Sequence, residues 1–399
     1  MRYFKNAQIA KTYNVSNTSV FRWVEAALEN KNNLQLIKVG NKYYIDNNEA
    51  NLKELQRLKE QGSKYRTQST YEVVRPEDSF YEVFTESETI EIINSIKSKR
   101  EIPVKYIFTK TGGESWNAFV NEKPKSLKEK KNKTLEKLMV SVVDYITYFI
   151  SSYEEINIVN IGQGNILNLE STFEGIQSDC QISSFTAIDI SKELLDISSG
   201  EIKDIFPNSK INLTQIDIEN HNIEPILFQN KKNDSSINII FFLGSVYGSV
   251  SNKRKVLENI RSSMDEKDLL IISNLAYNKD SQIGYEHLLN NTEFIKSATW
   301  IPKLLNLDIS ESNIGGTYDP LTLKREIVYI AEKDQSMVFE YAGVERNVEI
   351  LKGEQISLWQ HTLSKSAEFT QELYDARLES IAHFSDSQIT YNIHICKMV

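Results

Sequence analysis

Two glycines and an acid, set at the ends of two apolar runs, are the residues of this chain whose types and spacing could do chemistry. Residues Ile156 to Ile161, INIVNI, are apolar and β-branched, as in a buried strand, and Gly162-Gln163-Gly164 ends them. A second apolar run, Phe185–Ile188, ends in Asp189. Strand, glycine turn, helix, strand, acid outlines a nucleotide site at the edge of a parallel sheet. Glycines let the backbone approach a ligand closely, and the acid can accept hydrogen bonds from ribose hydroxyls. A glycine pair alone singles out no ligand, so the weight falls on the segments that follow in order.

The chain has 399 residues, enough for two or three domains. It is 40% hydrophobic and 25% charged, as an ordinary globular protein is. Its net charge of −9 excludes a chain that coats nucleic acid along its whole length. The charge is uneven. Residues 1–62 carry ten Lys and Arg against six Asp and Glu, a net of +4, which leaves −13 for the remainder. A basic head on an acidic body permits a local nucleic-acid contact. Only Cys180 and Cys396 are present, in keeping with a reducing cytoplasm, and neither they nor the five histidines have metal-ligand spacing. No apolar run approaches the ~20 residues that span a bilayer, and no signal-peptide pattern opens the sequence, so a cytoplasmic protein without membrane contact is expected.

The basic head reads as a compact unit. Ala7–Tyr13 is a short helix. After a turn at Asn14-Val15, Ser16 caps a second helix, Asn17–Leu28, with Val20, Phe21, Val24 and Leu28 on one face. Leu34–Val39 and Lys42–Ile45 flank a Gly40-Asn41 hairpin turn. Asn47 or Asn48 caps a helix from Glu49 to Gln61, stopped by Gly62. Trp23 is expected in the core, beside Val20 and Val24 at helical spacing. The run IAKTYNVSNTSVFRWVE…LIKVGNKYYID resembles the excisionase- and MerR-like winged helix-turn-helix modules. That resemblance implies duplex DNA as a partner, with Asn17, Thr18, Ser19 and Arg22 toward the major groove and Lys38, Asn41 and Lys42 on the wing near phosphates. Such modules often work as dimers, so a homodimer is expected to be possible. A small helical domain for protein contact is the other reading of the same pattern.

Ser63–Pro76 is polar and reads as a linker, within a joining segment at 63–84. Phe80–Ile96 leads into an amphipathic helix. Residues 101–120, EIPVKYIFTKTGGESWNAFV, read as loop, glycine turn and aromatic helix. Lys123–Lys137, with seven lysines and two glutamates, reads as a solvated loop and helix start. Thr134–Ser152 is an amphipathic helix with Leu135, Leu138, Met139, Val142, Ile146 and Phe149 on one side.

Residues 85–399 resemble the histidine-specific, SAM-dependent methyltransferases of the ergothioneine pathway. Pro103, Lys105, Tyr106, Phe108, Gly112 and Phe119 match that family's N-terminal block, with Thr109 where it has an acid. NIGQGNILNL, AIDIS, QIDIE and FFLGSVYGSVS repeat the order of its next four blocks. The resemblance implies an α/β fold: a Rossmann-like class I methyltransferase domain with an accessory subdomain, behind the winged module. It implies S-adenosyl-L-methionine (SAM) held by Gly162, Gly164, Asp189, Asp217, Gly244 and Ser245, with Asp189 on the ribose and Asp217 at the adenine edge. Tyr247, Ser249 and Trp359 would meet a small-molecule methyl acceptor. The last segment, with Phe384 and Asp386, would close the sheet as an antiparallel hairpin.

Several positions depart from the family. Asn160 replaces the acid before the first glycine, Asn168 a lysine, and Ser249 an asparagine. Trp359, in GEQISLWQHTLSK, stands where the family has the glutamate that reads the substrate. A carboxylate there pairs with a cation and an indole cannot, which predicts that histidine is not the acceptor. The expected activity is methyl transfer from SAM to a small amine or other nucleophile. The alternative is a DNA-binding regulator whose methyltransferase-like domain senses SAM or a related ligand without turnover. A DNA base methyltransferase is disfavoured because LGSVYGS lacks a D-P-P-Y-type motif, and a dehydrogenase because the later blocks do not fit one.

Overall fold

In the computed structural model, the structure describes residues 3–13, 15, 17–39, 42–60, 71–121, 127–162, 170–179, 181–231, 234–244, 246–277, 286–341, 343–386 and 391–399. The chain forms two compact units, Met1–Pro103 with Ile301–Trp359, and Val104–Trp300 with Gln360–Val399.

The second unit is built on a seven-stranded sheet. Its order from one edge is Leu378–Ser385, Tyr391–Met398, Leu269–Leu275, Ser236–Phe242, Glu155–Ile161, Ile182–Asp189, Lys210–Gln215. The last five of these run parallel. The C-terminal hairpin adds the two antiparallel strands, as the sequence predicts. Side chains alternate between two cores, as the two-residue strand period requires. Ile156 and Ile158 join Met139, Val142, Ile146, Phe173, Phe185 and Phe206 on one face. Val159 and Ile161 join Val256, Leu257, Ile260, Phe369 and Leu373 on the other. Each fully buried Ile, Leu or Phe contributes on the order of 1.5–3 kcal/mol, so two filled faces fix the strand register. Helix Leu127–Ile150 begins earlier than Thr134 and takes in much of the lysine-rich run.

Residues 103–121 differ from expectation in one respect. The glycines do not form a turn before the helix; Gly112 and Gly113 lie inside helix Thr111–Asn121, after a 3₁₀ turn at Val104–Phe108. They are there because a side chain would not fit. A Cβ on Gly112 would lie 2.1 Å from the Ile107 carbonyl oxygen and 2.4 Å from Trp300 Nε1.

The first unit opens with helices Asn6–Tyr13 and Asn17–Leu28, hairpin strands Leu36–Val39 and Lys42–Asp46, and helix Glu49–Glu60. Tyr3–Phe4 adds a third, unanticipated strand to the hairpin. Asn48 is the cap of the third helix, accepting from Asn51 N–H at 2.8 Å. The fully buried Asn51 side chain accepts from Gln35 N–H (2.7 Å) and donates to the Gln35 and Asp46 carbonyls (2.8 Å each), tying helix to hairpin. Trp23 is core, as expected, with Ile9, Val20, Val24, Ile45, Leu55 and Leu58. Leu28, expected on that face, is exposed.

Of the stretch expected to be a linker, residues 63–70 lie outside the described residues and the part that follows carries structure. Glu72–Val74 pairs in parallel with Gln335–Tyr341, and helix Asp78–Val83 follows, with Val74 and Phe80 buried. Gln335–Tyr341 also pairs with Val344–Ile350. A further sheet orders Ile314–Asp319, Lys324–Ile330 and Gln355–Thr362. Helix Glu86–Lys99 starts in a Thr85/Glu88 capping box.

Candidate cofactor site

Four of the residues singled out by sequence fall on one edge of the parallel sheet. Gly162 follows Glu155–Ile161, Asp189 ends the next strand, Asp217 lies two residues past Lys210–Gln215, and Gly244 two residues past Ser236–Phe242. In a parallel sheet the C-terminal ends share one edge. The first strand lies between the second and fourth, so chain order reverses there, and that crevice is where open α/β sheets bind ligands. Backbone hydrogen bonds stitch the loops together: Gly162 N–H to Ile188 O at 2.8 Å, and Ile216 N–H to Asp189 O at 2.9 Å.

Gly162 has φ +70° and Gly244 φ +83°, the left-handed region that favours glycine. A Cβ on Gly162 would lie 2.8 Å from Val246 Cγ2. Around the Cβ position of Gly244, by contrast, no atom of the described residues beyond its chain neighbours lies within 4 Å, and its N–H is held by Ser273 Oγ at 2.8 Å. That pair of glycines, one close against the following loop and one facing open space, is a cradle suited to a ligand backbone. Gly164 and Ser245 lie outside the described residues.

The two acids are held differently. Asp189 is buried and its Oδ1 accepts the Ser191 N–H at 2.9 Å. Asp217 Oδ2 accepts from Lys105 Nζ and from Asn220 Nδ2, each at 2.8 Å, and its Oδ1 from Glu219 N–H at 3.0 Å. Burial pushes the Asp217 carboxyl upward, but the Lys105 ammonium and these donors outweigh it and hold the pKa below the usual value. Neighbouring Glu219 is raised, by burial first and by Asp217, although it accepts from Ser251 and Asn252 N–H.

The residues expected to meet an acceptor are each enclosed. Tyr247 is almost fully buried; its hydroxyl donates to Glu372 Oε2 at 2.7 Å, and burial followed by that carboxylate raises its pKa. Lys253 Nζ sits 5.0 Å from the Tyr247 ring centre and donates to Ser364 Oγ at 3.1 Å, its pKa lowered by burial. Ser249 is buried. Gly248 exists because His361 occupies the neighbouring space, with its Nε2 2.2 Å from the position a Cβ would take. Trp359, 6% exposed, is the last residue of the other unit. Glu372 and Lys253 carried no motif that sequence reasoning could use, and His361 lay within GEQISLWQHTLSK without being singled out. Lys105 matched a motif, but its partner 112 positions away was invisible.

In the N-terminal helices, Arg22 donates to the Tyr71 hydroxyl, which donates to Glu349 Oε2 at 3.3 Å. Glu25, one turn along, lies 4.0 Å from the Cβ position of Gly353. Burial first, then Asp334, Glu29 and Glu354, push its pKa up to about 7. Ser19 is half-buried and Lys38 exposed, with its ammonium 5.6 Å from the Tyr43 ring centre. Asn41 lies outside the described residues, and Asn17, Thr18 and Lys42 are described as backbone only.

Among the described residues no helix is long and apolar enough to cross a membrane. Residues 86–398 match the family model for histidine-specific, SAM-dependent methyltransferases. No curated protein matches the chain. Similar solved structures include a SAM-dependent methyltransferase from Clostridium acetobutylicum (12% identity, 79% of this chain and 99% of that one, TM-score 0.34). They also include the magnesium protoporphyrin IX methyltransferase of Synechocystis with bound SAH (11%, 74% and 98%, TM-score 0.39). The same enzyme with bound SAM aligns at 10% identity over 79% of this chain and 99% of that one, TM-score 0.37.

Proposed function

Since the chain belongs to the family of histidine-specific, SAM-dependent methyltransferases and its cofactor is SAM, we propose that residues 85–399 transfer the SAM methyl group to a small nucleophile other than histidine. We also propose that residues 1–62 are a winged helix-turn-helix that docks on duplex DNA, as a monomer or dimer. The observation that carries the enzymatic reading is the shared edge of Gly162, Asp189, Asp217 and Gly244 at the reversal of strand order. When bound, SAM supplies an electrophilic methyl on a sulfonium. The residues would supply position: Gly162 would let the backbone close on the cofactor, Asp189 would accept from the ribose, Asp217 would meet the adenine edge, and Gly244 would form part of the floor between cofactor and acceptor, with Gly164 and Ser245 as the further expected contacts. An in-line transfer needs alignment and one proton removed from an amine acceptor, so a strong general base is not required.

Ser249 and Trp359 support an acceptor that is not histidine. An imidazole and an ammonium left unpaired there would cost about 1–3 kcal/mol each. Two tests follow. Calorimetry with SAM that detects no binding to the intact protein would sink the cofactor site. Rapid trimethylation of histidine with labelled SAM would overturn the acceptor reading.

A second reading, a regulator that senses SAM without turnover, is favoured by one observation. His361 packs on Gly248 while Tyr247, one of the residues expected to meet an acceptor, is buried and tied to Glu372. DNA affinity that changes with SAM, with no methylated product from a panel of amines, would select it.

A further inference from the structure

The segment Val104–Asn121 touches both acids' loops. Where its helix begins, Gly113 is so close to the second loop that a Cβ would lie 2.7 Å from Ser191 Oγ, two residues past Asp189. At its 3₁₀ turn, Lys105 reaches Asp217 at 2.8 Å. The lysine is well enclosed: its side chain is 14% exposed, that of Asp217 18%, and its ammonium lies 5.0 Å from the Tyr106 ring centre. An ion pair this enclosed is a poor source of stability, because desolvating both charges offsets most of their attraction. It does fix a charge and a direction. A carboxylate offers about four acceptor positions; Lys105, Asn220 and the Glu219 N–H occupy three of them.

We propose that Lys105 is the positioning residue of the adenine side of the cofactor site: its ammonium turns the Asp217 carboxylate so that its remaining acceptor position takes the 6-amino group of the purine. The site then selects a 6-amino over a 6-oxo purine, since a carboxylate accepts from an amino group and repels a carbonyl oxygen. The inference rests on the reading of Asp217 as the adenine contact, and its test separates the two.

The groups facing the Asp217 carboxyl are the Lys105 ammonium, Asn220 (itself accepting from Lys255 Nζ at 3.1 Å) and the Glu219 carboxylate. The ring of His221 meets the Asp217 carbonyl at 3.2 Å. Without Lys105, burial has no opposing ammonium, and Asp217 takes up a proton as pH falls. A neutral carboxyl can donate to a 6-oxo group, so discrimination collapses.

The experiment is calorimetric binding of S-adenosylhomocysteine and S-inosylhomocysteine, from pH 5.5 to 8, to the full chain. Variants Lys105→Met, Lys105→Gln, Lys105→Arg and Asp217→Asn are compared with the parent, all in a His221→Asn background that removes the neighbouring imidazole. The parent is expected to prefer the adenosyl ligand by about tenfold or more, the scale of a buried hydrogen-bonding group left unpaired, with a flat pH profile. Lys105→Met and Lys105→Gln are expected to lose that preference and to bind the adenosyl ligand more weakly as pH falls; Lys105→Arg is expected to retain both properties. If Asp217→Asn binds and discriminates like the parent, the adenine reading of Asp217 fails. If it loses discrimination while folded Lys105→Met or Lys105→Gln keeps the parental preference and flat profile, the role of Lys105 is overturned and that of Asp217 stands. Should Met not fold, the Gln variant gives the same readout.

Discussion

Arg22 and Lys105 are both cations at positions expected to recognise a ligand, and the structure treats them in opposite ways. Lys105 meets a carboxylate that is itself a candidate cofactor contact, so its pairing builds the site. Arg22 meets Tyr71, which leads into the Glu72–Val74 strand and is bonded to Glu349. Its pairing draws the helix expected to read DNA toward an acidic stretch of the chain's own fold, with Glu25 facing Asp334 and Glu354. A site at the end of buried strands is fixed by the core beneath it. A site made of long surface side chains is fixed only by what those side chains find, and here Arg22 finds a partner inside the unit. Any DNA contact made through Arg22 would therefore compete with its bond to Tyr71.

The sharpest way to break this contrast is at Gly162. Alanine there must hold φ near +70° and displace Val246. The first costs about 1–2 kcal/mol and the overlap about 1–3 kcal/mol more. Gly162→Ala is expected to lower the denaturant midpoint and weaken SAM binding at least tenfold, while leaving any DNA affinity unchanged. Coupled loss of both functions would mean that the two regions are not independent.

Asp189→Ala comes next. Losing a charge-assisted hydrogen bond to the ribose is expected to weaken SAM by about 1–3 kcal/mol. Unchanged calorimetric affinity would remove Asp189 from the site. At the other region, Tyr71→Phe deletes the hydroxyl that accepts from Arg22. The freed guanidinium is expected to raise affinity for duplex DNA by about 0.5–1.5 kcal/mol, and Arg22→Ala to abolish the gain. Fluorescence polarisation across random duplexes at low salt checks both; no binding by either protein would show that the module does not bind DNA.

The sheet was legible because a buried parallel strand writes its burial into a mainly apolar run followed by a glycine or acid. INIVNI, FTAIDIS and FFLGS each carry both signals. The helices and hairpin of the head were legible from caps and Gly-Asn for similar local reasons. What sequence could not supply were pairings between distant positions: Lys105 with Asp217, Tyr247 with Glu372, Arg22 with Tyr71. The polar stretch read as a linker shows the same limit. Glu72–Val74 forms a strand because Gln335–Tyr341 offers it a partner, and no local pattern announces that. Gly112 and Gly113 misled in the other direction, since glycines that serve close packing look the same in sequence as glycines that turn a chain.

The smallest expected effect concerns Glu25, and it tests whether helix Asn17–Leu28 is seated against the acids as described. Its carboxyl is raised from the ordinary value to about 7, by burial first and then by Asp334, Glu29 and Glu354, with Arg22 pulling the other way. A group whose folded pKa lies above its unfolded value contributes stability that is fully present below the unfolded pKa, near 4.5, and is lost as pH rises through about 7. The unit holding Glu25 is therefore expected to melt at progressively lower temperature between about pH 5 and 7, from this group alone. Glu25→Gln, which keeps the shape and cannot ionise, is expected to flatten that slope and to melt slightly higher than the parent at pH 8. The group is about half exposed, so solvent screening keeps the effect small. Differential scanning calorimetry of parent and variant at matched ionic strength measures it. An unchanged slope in Glu25→Gln would mean that Glu25 faces solvent, and that the helix is free to present Arg22 outward.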